Sequence, residues 1–151
     1  MPDRMKINEA ITIGAQPSEA ELKAMAEDGV KAVINLRADG EDMQPMPPEA
    51  EGKKVQAFGM KYITLPVAIK EAGPDLVDRF RQALAETPKP VFVHCRLGKR
   101  AGAFVMMDQA VQQGWSGQQT LDMAEDMGFE CDNEDMEQFV KDYIDSRAAT
   151  T

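Results

Sequence analysis

Val91-Phe92-Val93 is a short run of consecutive apolar residues, with Pro88 and Pro90 before it and His94-Cys95-Arg96-Leu97-Gly98-Lys99-Arg100 after it. A strand that is apolar on both faces suits the interior of a parallel sheet, where helices cover the sheet above and below. Parallel neighbours need long crossovers, so the chain must supply helices between its strands. It does. Ile11 to Gly14, Lys31 to Leu36 and Lys61 to Val67 read as further strands. Between them, Ser18 and Glu21 have capping-box spacing ahead of a helix through Leu22 and Met25 that stops at Gly29. Pro48 opens a helix to Phe58, and Pro74 opens one through Leu76, Val77, Phe80 and Leu84. A helix from Ala101 to Gln113 follows the apolar strand and ends at Gly114. Ser116 with Gln119 starts another that ends at Gly128, and Asn133 caps a last one to Arg147.

Strands alternating with helices predict an α/β fold. The expectation is a single domain over residues 1–151, with a central, mostly parallel sheet of four to five strands flanked by helices. Its core spans about 11–114, and extra C-terminal helices span about 116–147. The chain has 151 residues, 43% of them hydrophobic, enough for one ordinary core. No apolar run approaches the roughly 20 residues of a membrane-spanning helix. Met1 to Ala10 is polar and charged, without the apolar stretch of a secretory signal. A soluble cytoplasmic protein is expected, a periplasmic form already stripped of its signal being the alternative.

The formal charge of −9 is unevenly placed. Ten acids and one base, Lys141, lie between Asp122 and Asp145, so that stretch alone carries −9 and reads as a solvated face. Thr87 to Met107 has no acid before it reaches Asp108, and holds Lys89, Arg96, Lys99 and Arg100. An acidic chain argues against nucleic acid and anionic membranes as partners, but a local basic island fits a small anionic substrate.

That island lies where a buried strand turns into a helix. Backbone N–H groups at such a helix start converge on one point, and the helix dipole favours an anion there. A thiol at Cys95 is favoured there as thiolate and is a competent nucleophile. Arg100 can fork two hydrogen bonds to an oxyanion, and Gly98 permits the torsions of a tight cradle. The bland alternative makes Cys95 a small core residue and the bases solvated loop residues. Walker-type and dinucleotide glycine patterns are absent.

At these residues the sequence resembles the cysteine-dependent phosphatases of the dual-specificity and tyrosine type. Their signature is His-Cys, five residues, then Arg followed by Ser or Thr. Here four residues separate Cys95 from Arg100, and Ala101 takes the hydroxyl position. The shorter loop is similar to that of the bacterial phosphatase-like domain family related to beta-lactamase-hydrolase-like proteins, and is also the loop length of rhodaneses. Gly14-Ala15-Gln16-Pro17, Val33-Ile34-Asn35-Leu36-Arg37 and Leu65-Pro66-Val67 resemble the same bacterial family in kind and order.

The resemblance implies that Cys95 attacks phosphorus to give a phosphocysteine and that Arg100 binds the equatorial oxygens. His94 holds the loop and tunes the thiolate, and Arg96, Leu97, Gly98, Lys99 and Ala101 line the anion site. No cofactor and no metal are expected, because the N–H cradle and the arginine supply the electrostatics. The implied partner is a small anionic or phosphorylated substrate. A general acid is also implied; the candidates are Glu71, Asp75 and Asp39, with Glu41 and Asp42 beside the last, each alternatively a solvated surface acid. Arg37 either points to the mouth and selects an anion or makes a surface salt bridge.

Two alternatives use the same loop. A rhodanese-like sulfurtransferase would carry a Cys95 persulfide, needing neither a general acid nor the missing hydroxyl. A weakly catalytic anion- or phosphoprotein-binding module would keep the cradle without turnover. Cys131 reads as a packed small residue or a resolving thiol, Trp115 as packing, and Met106, Met107, Met123 and Met127 as core filler.

Overall fold

The computed structural model describes residues 4–37, 47–67, 73–96, 98–127 and 134–148. In chain order they form β1 (Arg4–Lys6), β2 (Ile11–Gly14), α1 (Glu19–Glu27), β3 (Ala32–Asn35), α2 (Pro48–Ala57), β4 (Lys61–Thr64), α3 (Pro74–Glu86), β5 (Val91–His94), α4 (Lys99–Gln113), α5 (Gly117–Met127) and α6 (Glu134–Ala148). The five strands make one sheet in the order β1-β2-β5-β3-β4. β5 is central and parallel to both neighbours, with Ile13 opposite Val93 on one side and Ile34 opposite Val93 on the other. All four β5 residues are buried, as an apolar strand with both faces covered requires. The expected α/β architecture is thus observed, with five strands.

Side-chain alternation divides the core. Ile11, Ile13, Ile34, Val91 and Val93 join α3, α4 and α6 in the larger cluster. Val33 and Phe92 face the other way, onto Leu22 and Met25 of α1 and Val55 of α2. α4 lies within the larger layer, packed against β2, α3, α5 and α6. Nine of its residues are buried, so it is apolar nearly all round rather than striped. Met106 and Met107 lie inside this cluster, with Trp115, Met123 and Met127 partly buried against it.

Local sequence signals account for most element ends. Ser18 and Glu21 form the reciprocal capping box, with bonds of 3.1 and 3.0 Å. Ser116 and Gln119 do the same ahead of α5, at 3.1 and 2.9 Å. Beyond one-residue shifts at the ends of β3 and α2, three details differ from the sequence reading. β1, within the polar start, pairs antiparallel with β2; its Arg4 and Lys6 are exposed and only Met5 is half-buried, as suits a short charged edge strand. β4 ends at Thr64 rather than Val67. α4 begins at Lys99 rather than Ala101, because Gly98 adopts a left-handed conformation at the N-cap, with φ of 96°.

The C-terminal helices dock through specific contacts as well as apolar ones. Asp145 of α6 accepts the N–H of Gly117 at the start of α5, at 2.9 Å. Arg147 donates to both carboxylate oxygens of Asp78 on α3, at 2.6 and 3.2 Å, and Tyr143 donates its hydroxyl to the same carboxylate at 2.5 Å. The other described acids of the stretch from Asp122 to Asp142 are exposed, apart from half-buried Glu137. Among the described residues, no helix is long and apolar enough to cross a membrane.

Two stability predictions follow from this docking. A Cβ added at Gly117 would lie 2.7 Å from Lys141 Cγ and 2.8 Å from its Cα, so a backbone must move. Gly117→Ala should cost about 1–3 kcal/mol in urea unfolding; wild-type stability would show that α5 and α6 are not held at this distance. The Arg147 hydrogen bonds hold the Asp78 carboxyl below its ordinary range. A depressed carboxyl contributes stability above its unfolded value, and that stability is lost as the pH falls through the acid range. The pair is partly exposed and screened, which limits the contribution to about 0.2–1 kcal/mol. Asp78→Asn should remove that share of the acid-limb pH dependence of unfolding; an unchanged pH profile would show that the pair contributes nothing.

Candidate active site

The site is built at the C-terminal end of β5. Alternation continues past the strand: His94 stays on the Phe92 face, its ring stacked on Phe92 with centroids 5.7 Å apart. Cys95 falls on the opposite face, in the cluster that contains α4. Neighbouring strands grip the departing backbone, with Cys95 N–H donating to Gly14 O at 3.3 Å and Leu36 N–H to His94 O at 2.9 Å. Gln16 N–H donates to Arg96 O at 3.1 Å, fastening the loop to the segment after β2.

Gly98 then turns the chain into α4. It is buried, and its N–H points back at the Cys95 sulfur, 3.1 Å from Sγ. Its carbonyl accepts the first helical bond, from Gly102 N–H at 2.8 Å. The first-turn N–H groups of α4 have no carbonyl within the helix to bond, so they face the loop with the positive end of the helix dipole. An N–H aimed at sulfur, beside a helix start, stabilises negative charge there. Arg100 lies in the first turn, half-buried, and donates from Nη1 to Val67 O at 2.9 Å. This brings the segment after β4 to the same loop. Arg96 is exposed, Lys99 is half-buried and Ala101 is fully buried. Leu97 lies outside the described residues.

Behind the loop runs a chain of polar side chains, in which His94, Glu51, Arg37 and Asn35 are buried and Gln16 and Tyr62 half-buried. His94 Nε2 lies 2.6 Å from Glu51 Oε2, and both residues are fully buried. Gln16 Nε2 donates to Glu51 Oε1 at 2.6 Å, and Arg37 Nη1 donates to Gln16 Oε1 at 2.8 Å. Asn35 Oδ1 accepts the backbone N–H of Arg37 at 2.8 Å, and Asn35 Nδ2 donates to the Tyr62 hydroxyl at 2.9 Å. Burial, and then the charge of Glu51, push the Tyr62 phenol far above its ordinary range, so it stays neutral. No buried side-chain nitrogen or oxygen among the described residues lacks a partner.

The network changes the reading of one predicted residue and adds four. Arg37 is fully buried, which overturns the surface salt bridge; its end-of-strand position delivers it inward to Gln16. Glu51, Gln16, Asn35 and Tyr62 were not singled out from sequence. A signal for Glu51 was present: it lies four residues before Val55, on the buried face of α2. A carboxylate on an apolar stripe is unusual unless it has partners. Of the candidate acids, Asp39, Glu41, Asp42 and Glu71 lie outside the described residues, as does Cys131. Asp75 is exposed in the first turn of α3.

Comparison with known proteins follows the same outline. A solved structure of a candidate phosphatase from Shewanella putrefaciens CN-32 is 26% identical and superposes with a TM-score of 0.78, covering 98% of this chain and 90% of that one. TpbA of P. aeruginosa, solved in complex with pTyr, has a TM-score of 0.72 at 21% identity, over 99% of this chain and 91% of that one, and so shares the fold. A beta-lactamase hydrolase-like protein of Agrobacterium fabrum is 34% identical over 111 residues, covering 71% of this chain and 25% of that protein. A namesake in Xylella fastidiosa is 34% identical over 125 residues, 81% of this chain and 27% of its own length. The chain therefore spans about a quarter of the curated relatives it matches. The family model for the phosphatase-like domain of beta-lactamase hydrolase-like proteins matches residues 3–112, from β1 to the last turns of α4, and the chain belongs to that family.

Proposed function

We propose that this domain is a cysteine-dependent phosphatase acting on phosphate monoesters. The observation that carries the reading is the pairing of Cys95 and Arg100 across one glycine turn, with Gly98 N–H on the sulfur at 3.1 Å and Arg100 in the first turn of the helix. Family membership and the complex of TpbA with pTyr support a phosphorylated ligand. The Cys95 thiolate attacks phosphorus; the P–S bond forms as the ester P–O bond breaks, and the leaving oxygen takes a proton. Water then cleaves the P–S bond, releasing phosphate and restoring the thiolate. The first-turn N–H groups and the guanidinium bind the phosphoryl oxygens as charge builds on them. Arg96 and Lys99 add positive charge at the entrance, and His94 holds the loop from behind.

Sulfur transfer is the second reading, and Ala101 favours it. A fully buried alanine follows the arginine, so no hydroxyl is available at that position to help sulfur depart from phosphorus. A persulfide cycle needs none.

The deciding experiment measures hydrolysis of an aryl phosphate and sulfur transfer from thiosulfate to cyanide on the same protein, each repeated with Cys95→Ser. Aryl phosphate turnover should fall at least about 10³-fold in Cys95→Ser; Cys95-dependent turnover in the sulfur assay alone would overturn the phosphatase reading. Arg100→Lys should lose about 10²–10³-fold in kcat, because an ammonium cannot form the bidentate pair. Near-normal turnover by that variant would remove Arg100 from the clamp.

A further inference from the structure

We propose that Glu51 is a positioning residue for the nucleophilic loop, fixing the proton and the orientation of His94 and, through them, the peptide that carries Cys95. The inference rests on the phosphatase reading for its kinetic consequence.

Glu51 comes from α2, an element with no residue in the loop itself. α2 sits close to β4 because Gly52 has no side chain: a Cβ there would meet the Tyr62 ring at 2.7 and 2.9 Å. This close seating lets the carboxylate reach Gln16, beyond β2, and His94, at the end of β5. Oε1 accepts from Gln16 Nε2 and Oε2 lies against His94 Nε2, both at 2.6 Å. In the proposed arrangement Oε2 accepts and the shared proton sits on His94 Nε2. The other ring nitrogen, Nδ1, faces the Cys95 carbonyl oxygen at 3.4 Å, and the ring face lies on Phe92. His94 is thus held at Nε2 and on its plane, and it passes that hold to Cys95 through the peptide the two residues share.

A fully buried carboxylate is expensive where an apolar side chain would fill the space. Here it carries what an apolar residue cannot: a directional acceptor that selects one ring tautomer. Gln16 connects that negative charge to the buried guanidinium of Arg37, so the anchor spans three strand ends rather than one. Arg37 therefore acts through Gln16 and Glu51 on the loop.

The chain has one histidine, so its ring signals in a nitrogen-resolved spectrum of labelled protein are unambiguous. The wild type should show His94 protonated at Nε2, with that proton shifted downfield by the carboxylate. Glu51→Gln keeps the volume but presents an amide; the Nε2 proton signal should move or disappear, kcat on an aryl phosphate should fall about 10²-fold, and KM should change by less than about threefold. A wild-type spectrum with the proton on Nδ1 alone overturns the proposal, and does so even where Glu51→Gln does not fold. So does a folded Glu51→Gln with wild-type kcat. Failure of the phosphatase reading looks different: the wild type itself would then show no Cys95-dependent hydrolysis, while the histidine spectrum would still report the anchor.

Discussion

At the end of β5, side-chain alternation sends His94 toward α2 and Cys95 toward α4. The two faces of one strand thereby acquire different tasks. On the α4 side, the sulfur meets a glycine turn, an N–H at 3.1 Å and the start of a buried helix. On the α2 side, the imidazole meets a buried carboxylate at 2.6 Å. Neither arrangement works unless β5 is central, because the loop is gripped from β2 through Gly14 and from β3 through Leu36. The strand order is therefore a condition of the site as well as of the core.

The same constraint explains why α4 is so thoroughly buried. A helix whose first turn must stay aligned with the sulfur gains from rigid surroundings, and the sheet, α3, α5 and α6 enclose it. The C-terminal helices carry eight of the 26 acids and turn most of them to solvent, while Asp145 binds the start of α5 and Arg147 is held by Asp78 of α3. The net charge of −9 and the basic loop thus coexist because they occupy different layers. In the proposed function an anion at this loop meets Arg96, Lys99 and Arg100, together with the helix dipole.

Much of the fold was legible because its signals are local. The apolar run at Val91, the capping boxes at Ser18 and Ser116 and the prolines at 48 and 74 each act within a few residues, and each marks an observed element. β1 escaped notice because a three-residue edge strand with two exposed bases looks like a polar tail. The placement of Cys95, Gly98 and Arg100 at one strand-to-helix turn was legible for the same reason as the helices: the signal is compressed into a few residues. Glu51 was not, since its partner His94 lies 43 positions away and a lone glutamate near a helix start reads as surface. Arg37 lies two residues beyond the end of β3, where only the fold decides whether a side chain turns outward or toward Gln16.

In the proposed reaction the Cys95 sulfur itself bonds to the transferred group. That step is tested most directly by mixing the protein with an aryl phosphate, quenching in acid within a turnover, and measuring the intact mass and the modified peptide. One added phosphoryl group is expected on the peptide containing Cys95, absent in Cys95→Ser. Substrate turnover with no phosphoryl adduct on that peptide, while thiosulfate leaves one added sulfur there, would contradict that step.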